Sequence, residues 1–193
     1  MDVTTMSEQL LIDELLGINR HGPVPADFAP SVCETRRPAE IHYPPHLRRI
    51  LEIARELLVR NLRNDWQYQP LMASPATFRE WVRMRCAHLE HEVFLVVFLD
   101  AHLRLIDVET MFRGTLTQTS VYPREVIKSV LARNAAAVAF VHNHPSGSAL
   151  PSRADEVLTQ TLKTALALVD VRCVDHFIVA GGDLLSMAER GLM

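Results

Sequence analysis

The chain has 193 residues, a formal net charge of −3, 48% hydrophobic and 22% charged side chains, the balance of an ordinary globular protein with room for one core and an accessory segment. Its longest apolar runs fall far short of the ~20 residues that cross a bilayer. Acids at Asp2, Glu8, Asp13 and Glu14, with no basic start or long apolar stretch, leave no secretory signal, so a cytoplasmic location without a membrane is expected.

Residues 1–43 combine a short helical patch around Leu10 to Leu16 with a proline-rich stretch bearing Pro23, Pro25, Pro30 and Pro38, and read as an extension or linker. Residues 44–90 read as a helical segment. Leu47, Ile50, Leu51, Ala54, Leu57 and Leu58 form the expected inward face of a first helix, and Ser74-Pro75 opens a second with Phe78, Trp81 and Val82 inward.

Residues 91–193 alternate strand and helix. Val93 to Leu99 is a seven-residue apolar run that fits a central strand, and Leu103 to Phe112 alternates as its antiparallel partner across an Asp100-Ala101-His102 turn. Pro123 starts a helix through Val126, Ile127, Val130 and Leu131 that ends near Asn134. Ala135 to Val141 is a second buried strand. A helix follows with Val157, Leu158, Leu162, Ala165 and Leu166 inward. Val171 to Ala180 and Leu184 to Met187, joined by Gly181-Gly182, complete a mixed sheet flanked by helices.

The chemistry concentrates between the second strand and the helix after it. His142 and His144 lie two residues apart at the strand's end, a spacing that points both imidazoles to one side. Pro145, Gly147 and Pro151 make a turn-rich loop, Ser152 fits the N-cap of the helix, and Asp155 falls in its first turn. Ser152 and Asp155 alone would be an ordinary capping box. Together with the histidines they supply two nitrogens and a carboxylate, the donor set of zinc sites that keep a fourth position for water. Asn143, between the ligands, points to the opposite face and reads as structural.

An acid able to move a proton is also needed, and Glu90, Glu92 and Glu109 lie upstream. Glu92 sits at the mouth of the first strand; Glu90 shares its face if that strand begins early. Asp175-His176 lie in one strand and face opposite ways, which fits a structural or supporting role better than a second centre. Cys33, Cys86 and Cys173 are odd in number and scattered, so they indicate buried small hydrophobes rather than a disulfide framework or a cysteine zinc knuckle. Zinc nucleobase deaminases are excluded by the lack of a P-C-x-x-C pair.

His142-x-His144-Pro145 followed by Ser152-x-x-Asp155 resembles the signature of the JAMM (MPN/JAB) metalloproteases. The string HNHPSG, with Tyr122-Pro123-Arg124-Glu125-Val126 before it and Asp175-His176 after it, resembles the RadC branch, over roughly Leu47 to the C-terminus. The resemblance implies a mixed, curved α/β sheet with cytidine-deaminase-like layering, preceded by an N-terminal helical segment. It implies zinc on His142, His144 and Asp155, assistance from Ser152, and Glu92 as the base, because Glu92-Val93-Phe94 matches the family's glutamate, apolar residue and phenylalanine. The implied reaction is hydrolysis of a peptide or isopeptide bond in a peptide or protein partner. Members of the branch carry a DNA-repair name, but their glycine-rich helix-hairpin-helix turn is not recognisable here, where only Gly17 and Gly22 precede the helices.

A second reading is an inert scaffold that binds nucleic acid or a protein. Between Arg36 and Arg85 ten arginines face five acids, a basic balance that suits nucleic acid and equally suits solvated helix faces.

Overall fold

The computed structural model describes residues 2–17, 43–73, 75–114 and 121–193. The proline-rich stretch, Gly22, Cys33 and the Ser74 cap lie outside these residues. The chain forms two compact units, Met1–Asn61 and Leu62–Met193.

The first unit contains α1, Glu8–Leu15, and the greater part of α2, Pro45–Gln67. Ser7 caps α1 by accepting from Leu10 N, satisfying an N–H that has no partner within the helix. Val3, Met6, Leu11 and Ile53 form its small core, with Leu15 and Leu57 packed against them. The inward face of α2 therefore differs from the expected one: Ile53 and Val59 are buried while Leu51 and Leu58 are exposed. Leucines form a stripe along one side of this helix, but Val3, Met6 and Leu11 pack on the side that carries Ile53, beyond the edge of that stripe. Arg49 pairs with Glu14 and Arg60 with Glu56, each at 2.8 Å.

The second unit is a five-stranded mixed sheet in the order β2-β1-β3-β4-β5, with helices on both faces. Its strands are β1 (Val93–Leu99), β2 (Leu105–Arg113), β3 (Ala137–Asn143), β4 (Arg172–Ala180) and β5 (Asp183–Ser186). The α/β architecture thus agrees with expectation. β1 pairs antiparallel with both β2 and β3, whereas β3 and β4 run parallel, connected by α5, Arg153–Ala167. That parallel step needs a crossover. Every residue of β1 and β3 is buried, which is why both read as unbroken apolar runs rather than alternating ones.

One face of the sheet packs Phe94, Val96, Phe98, Val138 and Phe140 against Val126 and Val130 of α4, Pro123–Ala132, and Leu162 and Leu166 of α5. On the other, α3, Pro75–Cys86, buries Phe78, Trp81, Val82 and Cys86, with the Phe78 ring edge-on to Phe177 at 5.1 Å. Asn134 and Asp170 take left-handed φ values of 53° and 57°. Each closes a helix with paired bonds, Ala135 N to Val130 O and Asn134 N to Leu131 O after α4, Val171 N to Leu166 O and Asp170 N to Ala167 O after α5, the Schellman arrangement in which a short polar residue replaces glycine.

Several boundaries move. Leu103 belongs to the turn, at φ 61°, because Asp100 Oδ1 accepts from His102 N and Arg104 N and folds the backbone there. β2 accordingly begins at Leu105. Val157, expected inward, is 53% exposed; α5 instead turns Thr159, beside Leu162 and Leu166, to the core. Arg63 pairs with Asp107, Arg79 with Glu189 and Arg83 with Glu80. Among the described residues, no helix is long and apolar enough to cross a membrane.

Candidate metal centre

The sheet pleat and the β3–α5 connection together build the site. His142 shares the face of Phe140, two residues earlier, and so points toward α5 rather than α3. Its ring lies parallel to that of Phe94, its register partner on β1, at 6.4 Å. His144 N donates to Val179 O at 2.7 Å, extending the ladder one step beyond β3 so that its ring emerges on the same side. The chain then reverses through a turn closed by Gly147 N to His144 O, with Gly147 at φ 86°, a conformation that favours glycine.

Ser152 caps α5 in a capping box: its Oγ accepts from Asp155 N at 3.2 Å, and Asp155 Oδ2 accepts from Ser152 N at 2.7 Å. The Ser152 hydroxyl also donates to Asp155 Oδ2 at 2.6 Å. This cap fixes the carboxylate's direction. Asp155 Oδ1 lies 3.3 Å from His142 Nε2, and Oδ2 lies 3.4 Å from His144 Nε2, while the two Nε2 atoms are 2.8 Å apart. Among the described residues, these three side chains form the group whose ligand atoms, all within 4.8 Å of one another, could hold a metal ion.

The chemistry of this donor set suits a divalent cation. His144 Nδ1 faces the Ser148 carbonyl at 2.7 Å; a carbonyl only accepts, so the proton of the neutral ring belongs on Nδ1 and the Nε2 lone pair faces the site. Two imidazoles and a carboxylate are the ligand types found in zinc centres with an open position. Half-burial pushes the Asp155 carboxyl up, but the hydrogen bonds with His142, His144 and Ser152 outweigh it and hold the group well below the usual carboxylate range. The Asp155 partner in turn raises the His144 imidazole above its ordinary value. Close convergence of nitrogen lone pairs with a carboxylate invites positive charge, whether proton or metal.

All three residues line a cavity of about 710 Å³. Glu92 and Ser152 line it too, whereas Glu90 is exposed in the preceding turn and Glu109 lies on β2, where it accepts from Ser129 Oγ and pairs with Arg133. Glu92 is brought here by Asn143. The Asn143 Oδ1 accepts from Val93 N at 2.8 Å, and its Nδ2 donates to the carbonyls of Leu89 and His91 at 3.3 and 3.1 Å. The residue between the two histidines thus clamps the segment that carries Glu92, from the opposite face of the sheet.

Asp175 and His176 separate as their strand position requires. Asp175 accepts from His176 N, Ala188 N and Ser186 Oγ; burial nonetheless raises its pKa. His176, fully buried, lies against the site itself, with its Nε2 2.8 Å from His142 Nδ1, and desolvation lowers its pKa well below the ordinary imidazole value. Thr159, which meets the other nitrogen of that ring at 2.6 Å, was not visible as a site residue. The available signal was its place on the inward face of α5, four residues after Asp155 and three before Leu162.

A family model described as a RadC-like JAB domain matches residues 72–192. The chain is 57% identical over 147 residues to a UPF0758 protein of Leptothrix cholodnii, covering 76% of this chain and 64% of that protein. It is 54% identical over 144 residues to one of Polaromonas sp., covering 75% and 62%, and 52% identical over 147 residues to one of Nitrosomonas eutropha, covering 76% and 64%. It therefore spans just under two thirds of the length of these curated relatives. A match over more than half the chain, together with this level of identity, places the protein in a family: the chain belongs to the proteins with a RadC-like JAB domain.

Proposed function

We propose that this protein is a zinc-dependent hydrolase of peptide or isopeptide bonds. The observation that carries this reading is the convergence of His142, His144 and Asp155 on one point of a cavity that also presents Glu92 and Ser152. Bound zinc supplies a Lewis acid for the scissile carbonyl and lowers the pKa of a water to about 7.

The protein's own groups do the rest. Glu92 accepts the proton of the attacking water and passes it to the nitrogen that leaves when the C–N bond breaks, a general acid and base role typically worth ~10²–10⁴ in rate. Ser152 turns its single hydroxyl proton from Asp155 Oδ2 to the developing oxyanion. Asn143 keeps Glu92 at the cavity wall through the three backbone bonds of its clamp.

Metal analysis of the purified full chain, run beside turnover of a quenched-fluorescence peptide and isopeptide library, tests this directly. Near-stoichiometric zinc is expected in both the wild type and Glu92→Gln, with turnover in the variant falling ~10²–10⁴-fold. Full turnover in Glu92→Gln rejects that residue as the proton carrier, and wild-type protein that retains no divalent metal rejects the reading as a whole.

A further inference from the structure

We propose that Thr159 and His176 are positioning residues: their hydrogen-bond chain decides which nitrogen of His142 is bare and turns the Nε2 lone pair into the candidate metal centre. The proposal rests on the metal-centre reading and concerns residues beyond the ligand set.

The chain has three links. His142 Nδ1 lies 2.8 Å from His176 Nε2, His176 Nδ1 lies 2.6 Å from Thr159 Oγ1, and Thr159 Oγ1 lies 2.6 Å from the backbone carbonyl of Asp155. His176 is 0% and Thr159 1% exposed, so bulk water does not compete for these bonds. A neutral imidazole has one N–H and one bare nitrogen, and a hydroxyl has one proton. Two proton directions are open to such a chain, and only one of them makes all three links.

In the first, His142 Nδ1–H donates to His176 Nε2, His176 Nδ1–H donates to Thr159 Oγ1, and Thr159 donates to the Asp155 carbonyl. His142 Nε2 is then bare. In the second, every proton moves one step the other way: Thr159 donates to His176 Nδ1, His176 Nε2–H donates to His142 Nδ1, and His142 Nε2 carries its proton into the site. Only the first direction leaves His142 able to bind a cation.

The far end of the chain selects between them. A carbonyl can only accept, and Met187 Sδ, 3.6 Å from the same hydroxyl, is a weak acceptor. Both draw the Thr159 proton away from His176 and leave the oxygen free to accept. The chain also begins on the ring of one ligand and ends on the backbone of another, which ties the strand bearing His142 to the helix bearing Asp155. Outer partners of this kind fix ring orientation and tautomer, and their loss elsewhere costs 10–100-fold in metal affinity.

Thr159→Val keeps the shape and removes the hydroxyl, so His176 loses the group that accepts its Nδ1 proton; Thr159→Ser retains it. Zn²⁺ and Co²⁺ affinities of the full chain are measured by chelator competition, with imidazole ¹⁵N NMR of the zinc-loaded protein reporting the proton on His142 Nδ1. The expected result is a 10–100-fold weaker affinity for Thr159→Val and near wild-type affinity for Thr159→Ser. If Thr159→Val does not fold, as judged by melting of the metal-free protein, the same comparison is made between His176→Leu, which loses the acceptor, and His176→Gln, whose amide oxygen keeps one. Equal affinity across either pair, or a His142 proton on Nε2 in the loaded protein, overturns the proposal while leaving the metal centre intact. A wild type that binds neither ion overturns the centre and the proposal with it.

Discussion

Asn143 shows how much a single side chain can organise when both ends of its amide are used. It is 2% exposed, and all three of its hydrogen bonds run to the backbone of residues 89–93. Truncation leaves Val93 N–H, at the start of a buried strand, without a partner, and an unsatisfied buried group costs about 1–3 kcal/mol. Asn143→Ala is therefore expected to lower stability by about that amount in a urea titration, with an unchanged slope; an unaltered midpoint would show that the clamp carries no load. Its structural role was legible from its position between the two histidines on a buried strand. Its partners were not, because fifty residues of sequence separate them.

At the level of elements, the start of α5 serves two ends at once. The Ser152–Asp155 box satisfies helix N–H groups that have no partner within the helix, and it aims the carboxylate at the histidines. Ser152→Ala should cost about 0.5–2 kcal/mol through the lost cap alone, read from thermal unfolding of the metal-free protein, and Ser152→Thr should recover most of it. A stability loss near zero in Ser152→Ala would mean that α5 is held by packing without help from its cap. The same element shows where a pattern misleads. Val157 fits an apolar stripe by spacing yet lies 53% exposed, since the rotation of α5 follows Leu162 and Leu166 against the sheet. Thr159 takes the inward place because its hydroxyl has partners there.

Across the whole molecule, burial sets chemical reactivity as well as stability. Cys86 lies among the α3 side chains beneath the sheet, and Cys173 packs at the edge of the main core. Burial pushes both thiols up to about 12. At pH 8 the thiolate fraction of each is on the order of 1 in 10⁴ in the folded state, against a substantial fraction in an unfolded chain with a pKa near 8.5. Both groups thus favour folding below about pH 8.5, and that contribution declines as pH rises toward 12, because the unfolded chain deprotonates first. Alkylation of the Cys86 and Cys173 peptides at pH 8, followed by mass spectrometry, should remain slow in native buffer and accelerate together across the denaturation transition. Rapid labelling of either under native conditions would contradict its burial.

The amino-acid sequence alone determined the strands, the helix starts and the residue types of the site. Buried strands must be apolar, helix ends must satisfy their own polar groups, and a metal needs nitrogens and carboxylates at fixed local spacing, all of which are constraints within short stretches of chain. What only the tertiary structure decided is which face each helix turns inward, which of the upstream glutamates reaches the cavity, and that His176 and Thr159 stand behind His142. Those outcomes depend on how distant segments pack: an apolar stripe fixes no inward side until another segment lies against the helix. The neighbouring parallel strand, reached only by the crossover through α5, likewise brings a histidine from position 176 to within 2.8 Å of one at position 142.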